Sequence, residues 1–141
     1  MTVRVSRTLE FDVPVDRVWA FISDPAQRAK AISVVESYEV YDDNRATWHV
    51  SLPIPFVDST IPVETNEIER EPPTRVKFVG KSKALRVTGE HMIEETETGS
   101  KLHNEFVVDG QIPGVERFFK SNLDTEIDNL ERTMHEEMEV A

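Results

Sequence analysis

The side chains best suited to chemistry lie on two strand-like segments in the second half of the chain. Strict alternation places His91 on one face of "ALRVTGEHMIEE" and Asn104 on one face of "KLHNEFVVDG". If those faces point inward, each polar group needs a hydrogen-bond partner within an apolar shell. The two side chains could bond each other, or they could orient the oxygen of a ligand. In an enzyme, His91 would be the general base, and Asn104 or Asn122 would stabilise an enolate-like oxygen.

Two further candidates lie on helical segments. Asn122 falls between Phe119 and Ile127 and has the same two interpretations as His91 and Asn104. Trp19 shares an apolar helix face with Ile22, so its ring is either part of the core or part of a cavity wall. If Trp19 is buried, its indole N–H needs a partner, which a backbone carbonyl or a ligand atom could supply.

Glu64 and Asn66 share one face of a further strand-like segment with Ile68. A carboxylate on the inner face would have a raised pKa and would be a strong functional signal. Because a one-residue slip of register exchanges the two faces, we expect solvent exposure for Glu64.

Several other classes of chemistry lack their signatures in this sequence. There are no cysteines, so a disulfide, a thiol nucleophile and a thiolate metal site are excluded. The four histidines have no zinc-binding spacing, and no serine lies in a nucleophile-elbow context. A glycine-rich phosphate loop is also missing. The sequence therefore predicts no metal site and no cofactor.

The segment "LPIPFVDSTIP", residues 52–62, is rich in proline and in large apolar residues. Its three prolines interfere with strand pairing and hold Ile54, Phe56 and Val57 at an exposed hairpin end. These residues form an edge packed under a helix, a lip at the mouth of a pocket, or a patch that docks a partner protein.

The N-terminal part of the chain predicts one strand followed by two short helices. Apolar residues alternate from Val3 to Val13, and Pro14 ends this strand. Helical spacing follows up to Ile22. In "DPAQ", Asp24 is the expected N-cap of the second helix, and Gln27 is its expected reciprocal partner in a capping box.

Six strand-like segments joined by turn signals then run from about residue 34 to residue 110, and one amphipathic helix follows Gly114. This order predicts an α+β fold, in which a curved seven-stranded antiparallel sheet wraps a long C-terminal helix as one domain over residues 1–141. A bent sheet that closes on a long helix tends to leave a cavity, because its ends touch the helix before the middle is filled.

The composition limits the partners and the location of the protein. The chain has 141 residues, 38% of them hydrophobic, and a formal net charge of −11. This acidity disfavours nucleic acid and anionic membranes as partners, and it suits either a salt-adapted host or an ordinary acidic protein. The sequence shows no secretory signal and no span of about 20 apolar residues, so we expect a cytoplasmic protein without stable membrane insertion.

The segments "PVDRVWAFISDP" and "EREPPTRVKFVG", together with the order of elements, resemble the START and birch-pollen-allergen-like superfamily, also called SRPBCC or helix-grip proteins. "RVTGEHMIEE" followed by "GSKLHNEFVVDGQIPG" is most similar to members that resemble the G-type accessory protein of carbon monoxide dehydrogenase and to polyketide cyclase/dehydrase-like members. The resemblance implies a pocket between helix and sheet that binds lipids, polyketides or other apolar small molecules.

We therefore predict a non-catalytic binding protein for an apolar or amphipathic small molecule. The alternatives are a cyclase/dehydratase-type enzyme and an accessory protein that docks a partner protein through the 52–62 hairpin. The oligomeric state stays open. The expected ligand-binding residues are Trp19, Trp48, Phe78, His91, Asn104, Phe106, Phe118, Phe119 and Asn122.

Overall fold

The chain forms an antiparallel sheet, two short helices and one long C-terminal helix. A computed structural model describes residues 2–42, 45–53 and 60–139. The elements in chain order are β1 (Thr2–Phe11), α1 (Val15–Ile22), α2 (Pro25–Lys30), β2 (Val35–Asp42), β3 (Arg45–Val50), β4 (Ile61–Glu71), β5 (Arg75–Lys81), β6 (Leu85–Glu95), β7 (Ser100–Gly110) and α3 (Val115–Glu139).

The seven strands form one sheet in the order β1-β7-β6-β5-β4-β3-β2, with every neighbouring pair antiparallel. Strands β2 to β7 are a meander of consecutive neighbours. β1 completes the sheet by pairing with β7, with Leu9 opposite Leu102. The predicted fold class, a curved antiparallel sheet against a long helix with two short helices after β1, is confirmed.

Period-two alternation decides which side chains enter the core. Val63 on β4 is buried, whereas Glu64 and Ile68 are exposed, as expected for Glu64. The same alternation turns residue 67 inward, and the register of β4 against β5 shifts between Glu67 and Glu69. The Glu67 side chain is only 2% exposed. An acidic residue is thereby buried on the inner face of the sheet.

The two short helices close one end of the sheet. Asp24 caps α2, since its carboxylate accepts a hydrogen bond of 2.9 Å from the backbone N–H of Ala26. The predicted reciprocal bond from Gln27 is wrong, because the Asp24 N–H donates to the Phe21 carbonyl at 3.2 Å instead. The amide oxygen of Gln27 is buried without a partner among the described residues.

The long helix α3 lies across the inner face of the sheet. It begins after Gly114, whose φ of 94° favours glycine. Arg7 on β1 holds the helix by donating to the Asp124 carbonyl at 3.1 Å and pairing with the Asp128 carboxylate. The predicted apolar stripe faces the core, with Phe118 partly buried and the other members buried: Val115, Phe119, Leu123, Ile127, Leu130, Met134 and Met138.

Candidate functional site

A cavity of about 70 Å³ lies between the inner face of the sheet and α3. Most of its wall is aliphatic or aromatic. The sheet contributes residues such as Val63 and Val108, and α3 contributes Leu123 and Ile127. Arg28, His91 and Glu126 bring polar groups to the same wall. The site is therefore an apolar space with a few polar atoms at defined places.

The ring of Phe78 is the centre of the aromatic wall. Its centroid lies 5.6 Å from that of Trp48 and 6.1 Å from that of His91, and the His91 ring stacks nearly parallel to it. Phe106 meets the other side of His91 edge-on at 5.4 Å. Gly89 lies opposite both Phe78 and Phe106 in the sheet register, and its missing side chain leaves the space that the Phe78 ring occupies.

We expect Gly89→Ala to destabilise the protein by about 1–3 kcal/mol, because the core is overpacked by one methyl group. A Cβ at this position would lie 2.3 Å from Cε1 of Phe78, so the ring must move. Chemical denaturation measures the effect. Thr88→Ala, at a half-buried neighbour on the opposite sheet face, is the control and should cost less. Equal losses for the two variants would contradict the packing argument.

His91 and Asn104 face each other across β6 and β7. His91 Nδ1 lies 2.7 Å from Asn104 Oδ1, and His91 is only 1% exposed. The Asn104 amide nitrogen donates to the carbonyls of Arg7 and Leu102, each at 3.3 Å. These two bonds orient the amide so that its oxygen points at the imidazole.

Burial lowers the pKa of His91 to about 3. The main cause is desolvation of the imidazolium, and the positive charge of Arg28 acts in the same direction. The hydrogen bond to Asn104 opposes both effects. The imidazole is therefore neutral at pH 7, and it is a weak base for proton abstraction.

Arg28 places a guanidinium at the end of the cavity formed by α2. It is 4% exposed, donates to the Ile22 carbonyl at 2.7 Å and to the Glu67 carboxylate at 3.0 Å. Its Cζ lies 5.0 Å from the centroid of Phe78, as in a cation–π contact. Burial lowers the pKa of Arg28, and the carboxylate of Glu67 opposes that shift. Arg70 donates to the other oxygen of Glu67.

Glu126 is the second carboxylate associated with the cavity, and it comes from α3. It is 8% exposed and accepts hydrogen bonds from the backbone N–H of Ser33 at 2.8 Å and from the Ser33 hydroxyl. The contact connects α3 to the segment between α2 and β2. It also holds the charge of Glu126 in place at the cavity wall.

Three nitrogen atoms of residues in the cavity wall are buried without a hydrogen-bond partner among the described residues. They are Arg28 Nε, Trp48 Nε1 and His91 Nε2. Buried polar groups in folded proteins are nearly always satisfied by protein, water or a ligand. These three atoms are therefore the places where the wall can form directional bonds.

The structure distributes the predicted ligand-binding residues over three locations. Trp48, Phe78, His91, Phe106 and Phe119 line the cavity. Asn104 lies behind His91 and supports it. Trp19, Phe118 and Asn122 are not among the residues that line the cavity.

The three residues outside the cavity wall have other partners. The half-buried Trp19 has the Arg70 guanidinium 5.3 Å above its ring. The Asn122 amide donates to the Phe118 carbonyl of its own helix at 2.7 Å. The Phe118 ring packs edge-on against Phe119 at 5.1 Å. The predicted pocket lip, Ile54, Phe56 and Val57, lies outside the described residues.

Sequence reasoning missed Arg28, Glu67 and Glu126. A signal for Glu67 exists, because solvent exposure of Glu64 on the same strand implies an inward residue 67. Arg28 is a single cation in a six-residue helix, and no periodicity marks it as buried. Glu126 directly precedes a core position of α3 and resembles any other acidic residue of that helix.

Metal ions and membranes find no matching feature in the part of the chain that the structure describes. No group of three or more His, Asp or Glu side chains there could hold a metal ion. No helix in the same residues is long and apolar enough to cross a membrane.

Residues 2–135 match the family model described as polyketide cyclase / dehydrase and lipid transport. The chain belongs to this family. The match spans nearly all of the sheet and most of α3, and it confirms the predicted membership of the START-like, helix-grip superfamily. No curated protein sequence matches the chain significantly.

Solved structures with the family's fold resemble this chain over nearly its full length. The Zhui aromatase/cyclase from Streptomyces sp. R1128 has a TM-score of 0.78 at 12% identity, covering 99% of this chain and 94% of that one. A START superfamily protein from Mycobacterium smegmatis has a TM-score of 0.75 at 12% identity, covering 96% and 97%. A conserved protein from Geobacillus kaustophilus has a TM-score of 0.75 at 16% identity, covering 99% and 95%. Identities this low establish the shared fold.

Proposed function

We propose that the protein binds an apolar or amphipathic small molecule, lipid-like or polyketide-like, in the cavity between the sheet and α3. The apolar wall of that cavity carries the proposal. A closed core would fill this space with side chains, since interiors are close-packed and voids cost stability. The family, which includes lipid transport, supports the same conclusion.

The volume of the cavity constrains how a ligand enters. About 70 Å³ is roughly half of the 150 Å³ apolar cavity known to take up benzene. A longer ligand must therefore insert only one end or move α3 away from the sheet. A ligand that buries about 300 Å² of apolar surface gains roughly 7 kcal/mol before the costs of association.

Filling the cavity tests the proposal. Val87 lines the cavity from β6, whereas Met92 on the same strand is 47% exposed on the opposite face. We expect Val87→Phe to weaken binding of the apolar dye Nile red by about tenfold or more, because the new ring occupies ligand volume. Fluorescence titration measures the affinity, and Met92→Phe should leave it unchanged.

Two results would oppose the binding function. One is equal affinity of Val87→Phe and the unaltered protein for the dye, with both folded by circular dichroism. The other is native mass spectra of protein purified from its own host that show no bound small molecule, together with no dye binding. A co-purifying molecule that Val87→Phe loses would support the proposal directly.

The cyclase-type alternative has less support from the geometry. A general base works best with a pKa near the operating pH, and the pKa of His91 is about 3. Its buried partner is a neutral amide, which does not raise basicity as a carboxylate would. A role of His91 in binding therefore agrees better with its surroundings than a role in proton transfer.

A further inference from the structure

The protonation pattern of His91 follows from its hydrogen bonds. The Asn104 amide donates through its nitrogen to two carbonyls, so its oxygen faces His91 as an acceptor. Nδ1 of the imidazole must then carry the proton. A neutral imidazole has one N–H, so Nε2 has a free lone pair and is a hydrogen-bond acceptor. That acceptor is buried and has no partner among the described residues.

The other two unpartnered atoms of the cavity wall are donors. Trp48 Nε1 and Arg28 Nε each carry one hydrogen and cannot accept. All three groups surround the ring of Phe78, with Trp48 at 5.6 Å, His91 at 6.1 Å and the Arg28 Cζ at 5.0 Å from its centroid. The wall therefore offers one acceptor and two donors around a single aromatic ring.

A hydroxyl group has the complementary pattern, with one O–H to donate and two lone pairs to accept. We propose that the ligand of this cavity is an alcohol or phenol, whose hydroxyl donates to Nε2 of His91 and accepts from Nε1–H of Trp48. The proposal rests on the ligand-binding function proposed above and specifies the chemical class of the ligand.

Other functional groups match the wall less well. A carboxylate or a ketone has no proton for His91 Nε2, and a hydrocarbon leaves all three nitrogens unsatisfied. An ammonium group could donate to Nε2, but it would be buried beside the guanidinium of Arg28. The second lone pair of a hydroxyl, in contrast, is available to the Arg28 Nε–H.

Matched small ligands test the hydroxyl directly in the unaltered protein. Phenol and anisole differ only in the O–H, which anisole replaces by a methoxy group, while toluene and benzoate supply the apolar and the anionic comparison. We expect phenol to bind about tenfold more tightly than anisole, because one buried hydrogen bond is lost with the O–H. Apolar burial alone would favour anisole. Titrations followed by NMR chemical shifts give the dissociation constants.

Variants locate the two partners of the hydroxyl. In His91→Leu the preference for phenol over anisole should fall to within about twofold, because the acceptor is removed. Trp48→Phe should weaken phenol and anisole in parallel, since both oxygens accept the indole N–H. Leu123→Ala, which removes only apolar wall, is the control and should keep the phenol preference. The ligand comparison and Trp48→Phe decide the question even where His91→Leu does not fold.

The outcomes separate the hydroxyl proposal from the binding function. Equal or tighter binding of anisole, tightest binding of benzoate, or a phenol preference that survives His91→Leu each overturns the hydroxyl proposal. In those cases the apolar cavity still binds ligands. Absence of binding by all four compounds, together with no binding of Nile red, overturns both proposals.

Discussion

Lowering the pH from 7 to 4 is expected to reduce the free energy of unfolding by about 3 kcal/mol through His91 alone. In the unfolded chain its imidazole takes up a proton near pH 6.5, whereas in the folded protein it stays neutral until about pH 3. The unfolded state therefore binds more protons in this window, and acid favours it. The loss begins near pH 6.5 and is complete near pH 3. Chemical denaturation at a series of pH values measures it.

His91→Gln tests the assignment, because glutamine cannot take up a proton in this range. We expect this variant to have a lower free energy of unfolding at pH 7 and a much flatter pH dependence between pH 6.5 and 4.5. His103→Gln on β7 is the control, since the His103 side chain is 43% exposed and His91 is retained. An unchanged pH dependence in His91→Gln would contradict the buried neutral imidazole.

Replacing Glu67 by Gln is expected to destabilise the protein by about 3–5 kcal/mol. The change leaves the guanidinium of Arg28 buried without its countercharge, at a position where Arg28 is 4% exposed and the Glu67 side chain 2%. Arg70 loses the same charged partner. Thermal or chemical denaturation at pH 7 measures the loss.

A matched control lies on the same strand. Glu64 is exposed, so Glu64→Gln should change the free energy of unfolding by about 0.5 kcal/mol or less. The double variant Arg28→Met with Glu67→Leu should be more stable than the Glu67→Gln single variant, because no unpaired charge remains at the site of the pair. Additive losses in Arg28→Met and Glu67→Leu would show that the two side chains do not depend on each other.

Local patterns in the sequence were sufficient to predict the fold and the inner faces of its strands. His91 and Asn104 were assigned to the interior by alternation alone, and both are buried. The stripe on α3 was predicted from a spacing of three to four residues, and its members pack on the core. These properties depend on residues a few positions apart, and such periodicities follow directly from the geometry of strands and helices.

The tertiary structure decided which of the inward residues share one cavity and what their polar atoms contact. Arg28 and Glu67 are 39 positions apart, and their ion pair depends on how α2 docks against β4. Trp19 lies beside Arg70 and Asn122 beside its own helix carbonyl, although their sequence context resembles that of cavity residues. Local spacing cannot specify such contacts, because they depend on the packing of distant elements.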